Sequence, residues 1–453
     1  MIFPGKCGII YSIHLAEEKL TLNTLKQTDS KFDSPEYRRS RTAYSAQCAF
    51  EYFIALLVSD AYLAKLLSVI GLSDGLIGII SSFITVSFLF QLTSIILVRR
   101  MTNTKRTATI FNTVSSLLFA ALYLIPFIPV PKTIKTVLVM ICILAAYFCN
   151  YSVTSIIYKW GNSFVDPSKR GDFSAGKEMA SLISGMCFTL AVGHIVTRFE
   201  EAGNLSGGFL FIASAGLIVS FCNFGCLLLI APKESGKNSS PAFRDVLKKT
   251  FGNKNFVNVV LMVCLWEFGK GMTIGFLGIY KTKDLMMTVG TVQVINTIGN
   301  ACRFFMSKPI GRFSDKKSFV KGIELALGIA AVGFAFNIFA SPAARWCIVV
   351  YTILYAVSSA GTVQNFNNII YSYVDAEYFV QASAIKSSIG GVVGFSASLV
   401  GSAILGAVND AGNQIFGVTV YGQQVLSAIS VLFIIGAILF AHFVIEKQSV
   451  MKQ

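Results

Sequence analysis

Charge is what this sequence has least of: Asp, Glu, Lys and Arg make up 13% of 453 residues, while 54% are hydrophobic. Soluble domains carry roughly a quarter charged residues, so a water-solvated globular surface is excluded and a bilayer is the fitting solvent. Histidine is scarce as well. His14, His194 and His442 are far apart in sequence, which argues against a dedicated zinc site. The ten cysteines lie almost all inside apolar runs with no C-x-x-C pair, and they read as small core residues. No G-x-x-x-x-G-K-[ST] loop occurs, which removes ATP hydrolysis as an energy source. No spacing of His, Asp and a nucleophile stands out, so neither enzymatic catalysis nor a cofactor is expected. The first 40 residues lack an apolar stretch of signal-peptide length and read as a cytoplasmic tail.

What the chain has in abundance is long apolar runs. Crossing about 30 Å of hydrocarbon at 1.5 Å per residue takes about 20 residues. Twelve runs qualify, near 46–72, 76–99, 108–130, 134–158, 178–199, 206–231, 256–280, 288–307, 321–341, 345–371, 383–408 and 422–446. The expected fold is an all-α polytopic membrane protein of twelve transmembrane helices in two pseudo-symmetric six-helix bundles. Its parts would be an N-terminal tail (1–43), a first bundle (44–232), a linker (233–255), a second bundle (256–446) and a C-terminal tail (447–453).

A net charge of +15 suits nucleic acid in principle, but the basic residues gather in alternate loops. Arg38, Arg39 and Arg41, then Arg99, Arg100, Lys105 and Arg106, then Lys169, Arg170 and Lys177 fall on one side. Lys233 to Lys254 and Lys308 to Lys321 continue the series. This is the positive-inside distribution, which puts both termini in the cytoplasm and predicts a multi-pass plasma-membrane protein with a lipid partner and no nucleic acid. In the linker, Ala242 to Lys249 has the pattern of a short amphipathic helix whose basic side suits anionic lipid.

One stretch occurs twice. V-D-P-S-K-R-G-D-F-S-A-G-K from Val165 matches V-D-A-E-Y-F-V-Q-A-S-A-I-K from Val374 at Val165/Val374, Asp166/Asp375, Ser174/Ser383, Ala175/Ala384 and Lys177/Lys386. Gly185/Gly394, Leu190/Leu399 and Ile195/Ile404 extend the register, and Ile156-Ile157-Tyr158 answers Ile369-Ile370-Tyr371 upstream. A repeat half a chain apart in an apolar sequence points to two similar halves, an arrangement of transporters.

Polar residues inside apolar spans are the candidate functional set. Glu51, Asp60 and Lys65 interrupt the first span, with Asp60 near its centre. Charges in hydrocarbon cost about 2.5 to 3.5 kcal/mol each, so they should face a partner or water. Glu267 and Lys270 in the seventh span are three apart and share a helix face. Gln293, Asn296 and Asn300 form one stripe of the eighth span, continued by Arg303. Tyr351 and Tyr355 share a face of the tenth, and the fourth offers Asn150. Amides and phenols supply donors and acceptors without fixed charge, which suits a neutral, hydroxyl-rich solute. Hydrogen bonds that merely join helices are the competing use.

Between the eighth and ninth spans, Gly311-Arg312-Phe313-Ser314-Asp315-Lys316-Lys317 resembles the G-x-L-x-D loop signature of the major facilitator superfamily. Ser318, Phe319 and Val320 replace the signature's trailing glycine and basic residues, and the first-half loop from Arg99 to Arg106 lacks both acid and glycine. Gly71-Leu72-Ser73-Asp74-Gly75 and the P-x-x-x-G element from Pro167 to Gly171 are similar to the family too. The resemblance implies secondary transport by alternating access, and a gate formed by Gly311, Arg312, Asp315 and Lys316 in which Asp315 meets the start of the fifth span near Gly176 and Lys177. Proton coupling through Glu51, Asp60 or Glu267 follows as an expectation. The expected protein is a monomer moving a sugar- or nucleoside-like solute. Proton-antiport export of amphipathic compounds is the alternative within transport, and a non-transporting sensor or assembly protein the alternative outside it.

Overall fold

Ser34 starts the first helix by accepting a hydrogen bond from the Tyr37 amide, with Pro35 supplying the fixed φ that suits a first turn. The computed structural model describes residues 32, 34–94, 97, 103–166, 170–232, 243–374, 379–415 and 418–446. Most of the expected N-terminal tail, the expected C-terminal tail, the linker up to 242, the first half of the loop at 99–106, and Pro167 and Asp375 of the repeat lie outside them, while residues 35–43, expected in the tail, form the start of the first helix.

The helices are α1 (Pro35–Leu57), α2 (Asp60–Ile70), α3 (Asp74–Ser81, carried on by Phe83–Val86 and a 3-10 stretch Ser87–Leu92), α4 (Thr104–Ala121), α5 (Lys132–Asn162), α6 (Arg170–Glu201) and α7 (Leu205–Leu229). After the linker come α8 (Phe243–Phe251), α9 (Lys254–Ile274), α10 (Val289–Lys316), α11 (Phe319–Ile338), α12 (Trp346–Tyr373), α13 (Phe379–Asp410) and α14 (Gly422–Phe440). Between α9 and α10 the chain stays helical through Leu277–Ile279 and a π-helical Tyr280–Asp284, and a π turn Ala441–Glu446 extends α14. A two-residue hairpin, Gln414–Ile415 against Val418–Thr419, is the strand structure among the described residues.

Among the described residues, ten helices are long and apolar enough to cross a bilayer, and α1 with α2, bent by 41°, passes as an eleventh when taken as one broken span. The twelfth expected span, α10, has 28 residues and the length to cross. Its stripe of Gln293, Asn296, Asn300 and Arg303 leaves it too polar to be counted by composition. Such a polar stripe turns toward neighbouring helices, and α10 packs on α6, α11 and α12.

Packing gathers α1 with α4, α5, α6 and α7, and α9 with α11, α12, α13 and α14. The two groups touch along α6 with α10, along α3 with α13, and through α2 against Leu277–Ile279. The repeat is structural: α6 and α13 both have 32 residues, and Lys177 and Lys386 are each the eighth residue of their helix. Exposed apolar side chains such as Phe221, Ile218, Phe305 and Leu432 suit the lipid-facing perimeter.

Candidate functional site

Polar side chains join the two halves at the face opposite the linker. Asp60 opens α2 just past the break, in the left-handed region at φ 47°. Its carboxylate accepts from Lys281 at 3.0 Å and from Asn296 at 2.8 Å. Lys281 is buried, with a side chain 4% exposed. Beside this pair, Lys283 donates to both oxygens of Asp74, at 2.8 and 2.6 Å. Glu200 at the end of α6 pairs with Lys65 at 3.0 Å and accepts from the backbone N–H of Val289 at 3.2 Å, and Thr197 accepts from Gly290 at 3.0 Å. A carboxylate on the unpaired amides at the start of α10 is favoured by the helix dipole. Backbone closeness completes the seam: a Cβ on Gly278 would lie 2.6 Å from the Asp60 carbonyl oxygen.

The expected cavity set therefore divides. Asp60, Lys65, Gln293 and Asn296 belong to this inter-half seam, Gln293 being buried against Gly193. Asp60 is displaced from the expected centre of the first span because α1 begins at Pro35, well before the apolar run, and the helix breaks at Val58 and Ser59.

Toward the linker face, the first half holds a second polar group. Glu51, in the last third of α1, accepts from Gln47 at 2.6 Å and from Asn150 of α5 at 2.7 Å. Among the described residues these amides are its only hydrogen-bond partners, and no cation pairs with it. Tyr147 and Tyr151 pack together nearby, with ring centroids 6.0 Å apart. Lys177 donates to the Tyr44 hydroxyl at 3.2 Å, its ammonium 4.5 Å from that ring's centroid and 5.7 Å from that of Tyr158.

The second half answers with Glu267 and Lys270, paired at 2.6 Å within α9, as their spacing predicts. Gly390 and Gly394 of α13 lie against Glu267. Lys386 donates to Asn367 of α12 at 2.9 Å and is close enough to interact electrostatically with Glu267 and Lys270. Tyr355 stacks on Tyr351 with centroids 5.8 Å apart, and the buried Tyr351 hydroxyl has no partner among the described residues. Asn300 is half-buried and makes no hydrogen bond among the described residues. Arg303 interacts electrostatically with Tyr52 of α1 and Tyr355 of α12, so it faces both halves.

At the linker face, Gly311, Arg312, Asp315 and Lys316 form the last turns of α10 where a loop was expected. Asp315 is exposed and has no partner among the described residues, and Lys177 is bound to Tyr44 instead. The linker segment forms α8 as its amphipathic pattern predicts, and Lys249, Thr250, Asn253, Lys254 and Tyr373 line a cavity of about 480 Å³ beside it. Folding also defeats the sequence distance of His442, which lies 3.2 Å from Glu324 and 3.1 Å from Glu446. These donors are close enough to share a metal ion, but the Lys321 ammonium already bridges the two carboxylates at 2.9 and 2.7 Å.

Sequence reasoning missed Lys281, Lys283 and Glu200 as seam residues, and Lys177 and Lys386 as site residues. The repeat was the available signal for the lysine pair. The seam partners sit at span ends, where sequence alone reads them as loop charges.

The profile of the Major Facilitator Superfamily matches residues 42–398. Among solved structures, a nucleoside transporter, NupG, is similar with a TM-score of 0.67 at 14% identity, covering 89% of this chain and 99% of its own. A bacterial homologue of the human lysosomal transporter Spinster, inward-facing and unoccupied, gives 0.65 at 14% identity over 90% and 97%. A D-xylose–proton symporter gives 0.64 at 15% identity over 88% and 96%. The search of curated proteins finds no match.

Proposed function

The chain belongs to the major facilitator superfamily, and from that premise we propose that it moves a small polar solute by alternating access, with a proton carried on Glu51. The carrying observation is the state of the intramembrane carboxylates. Asp60 is tied to Lys281 and Glu267 to Lys270, while Glu51 is held by amides alone. Protonating Asp60 or Glu267 would break an ion pair with a lysine, whereas Glu51 has no such pair to break. Its amide partners can accept from the protonated form as readily as they donate to the anion after rotating.

The solute would lie between Glu51 and Asn150 on one side and Glu267, Lys270, Asn300 and Tyr355 on the other. A sugar- or nucleoside-like body fits these donors and acceptors, and the likeness to nucleoside and xylose–proton carriers supports that reading. The conformation described here is the one closed opposite the linker. With the basic linker face inward, it would be the inward-facing state of a plasma-membrane carrier with cytoplasmic termini.

The test is uptake into proteoliposomes under an inward proton gradient. Glu51→Gln keeps the amide contacts and removes the titrating proton, so gradient-driven accumulation should fall at least tenfold while exchange of internal for external solute persists. Accumulation unchanged in Glu51→Gln sinks the assignment.

A further inference from the structure

The charges around the proposed site do not cancel. Four cations flank it: Lys270, Arg303 and Lys386 of the second half lie around Glu267 and Tyr355, and Lys177 of the first half lies beside Tyr44 and Cys48, one turn of α1 from Glu51. Glu267 neutralises Lys270 at 2.6 Å. Glu51 accepts from two amide donors and pairs with none of the four cations. Among the described residues the carboxylate paired with Arg303 is Glu178, at 3.9 Å, the outer limit of an ion pair, and its side chain is 66% exposed. Lys177 is held by a phenol hydroxyl and two aromatic faces, and Lys386, 8% exposed, by an amide oxygen. None of Lys177, Arg303 and Lys386 therefore has a close carboxylate partner among the described residues.

A cation withdrawn from water without a counter-ion is costly, and it persists where something in the working cycle repays it. Lys177 and Lys386 occupy the same position in repeated helices, so each half brings one such cation toward its own first and fourth spans, α1 and α5 in one half and α9 and α12 in the other. Arg303, facing Tyr52 and Tyr355, reaches both halves with a planar guanidinium able to donate two parallel hydrogen bonds to one acidic group.

We propose that the solute is a hydroxylated organic anion whose carboxylate or phosphate is clasped by Arg303 with Lys386 and Lys177, while Asn150, Asn300 and Tyr355 take its hydroxyl groups. This rests on the transporter reading above and narrows its substrate class. The acidic group supplies the counter-ion that the protein withholds, and it does so from both halves at once. Its binding would draw the linker-side ends of α6 and α13 together, which is the movement alternating access requires. A proton on Glu51 strengthens the arrangement, since it removes the nearest competing negative charge from the Lys177 side.

Purified full-length protein is melted in mild detergent with matched pairs at equal concentration: glucose against glucuronate, glucose against glucose 6-phosphate, and uridine against uridine monophosphate. The expected result is stabilisation by the anionic member of at least one pair and none by its neutral partner. The glucuronate and phosphate arms separate the two acidic groups. Arg303→Gln and Lys386→Gln should each weaken the apparent Kd at least tenfold, while Arg303→Lys, which keeps the charge, loses less, and Lys308→Gln, exposed on the same helix, loses nothing. Should a glutamine variant fail to melt cooperatively, the Arg303→Lys comparison and the matched pairs carry the test. Equal stabilisation by neutral and anionic members, or none by any anion, overturns the clasp. Gradient-driven uptake of glucose or uridine would then leave the transporter reading standing, and absence of uptake for every probe would count against both.

Discussion

Asp60 is asked to do two things that few residues combine. Its backbone sits at φ 47°, where Asn and Asp are tolerated far better than branched residues, and its carboxylate holds the buried Lys281 of the other half. Asp60→Asn keeps the backbone preference and a hydrogen-bond acceptor, so it isolates the charge. Removing one member of a buried pair costs about 3 to 5 kcal/mol, because the other is left without a counter-ion. Since Lys281 is buried only while the halves meet, that cost falls on the closed seam. A cysteine at Ser402, which faces Gly75 across the seam, should then react with an impermeant maleimide at least tenfold faster in Asp60→Asn within a cysteine-free background. The charge-swapped pair Asp60→Lys with Lys281→Asp should recover part of the protection. Equal labelling in parent and Asp60→Asn would mean that this pair does not hold the face shut.

At the level of elements, α3 and α13 approach closely because glycine permits it. A Cβ on Gly391 would fall 2.1 Å from the Thr85 carbonyl oxygen, and one on Gly75 2.4 Å from the Ser402 hydroxyl. Gly406 of the same helix has nothing within 4 Å. Gly391→Val should cost about 1 to 3 kcal/mol by overpacking and show as a lowered Tm in detergent, while Gly406→Val should leave Tm unchanged. Similar Tm values for the two variants would show that the α3–α13 contact is loose. The small residues of the eleventh span were visible in the sequence; which of them faced a partner was not. The same holds for the site. Apolar runs of the right length placed most spans within a few residues, because desolvating a helix is a local matter read from composition; the starts of α1 and α6 and the end of α10, which are polar, escaped it. The repeat named Lys177 and Lys386. What remained hidden was pairing across the halves: nothing local tells Lys281 or Lys283 that Asp60 and Asp74 lie opposite, and α10, with its polar stripe, has the length of a span without its apolarity.

For the whole molecule, closing one face and opening the other must exchange one set of contacts for another of similar strength, or the carrier would be trapped. The set in hand is plain: Asp60 with Lys281, Asp74 with Lys283, and Glu200 on the start of α10. Among the described residues no such set of ion pairs joins the halves at the linker face, and Asp315, exposed on the last turn of α10, is an acid free to make one. The start of α6 is its expected target. A carboxylate at a helix N-terminus contributes about 0.3 to 1 kcal/mol, so losing it shifts a two-state equilibrium about two- to fivefold. Asp315→Asn has nothing to lose in the conformation described here and everything to lose in the alternative one. It should therefore raise the labelling rate of a cysteine at Ser181, near the linker end of α6, by that factor, while Asp60→Asn lowers it. Opposite shifts from two substitutions at opposite faces are what a single rocking equilibrium demands. If Asp315→Asn left Ser181→Cys labelling unchanged while Asp60→Asn moved it, the linker-face closure would have to be built from other residues, with Arg312 and Lys316 of the same turn the next to neutralise.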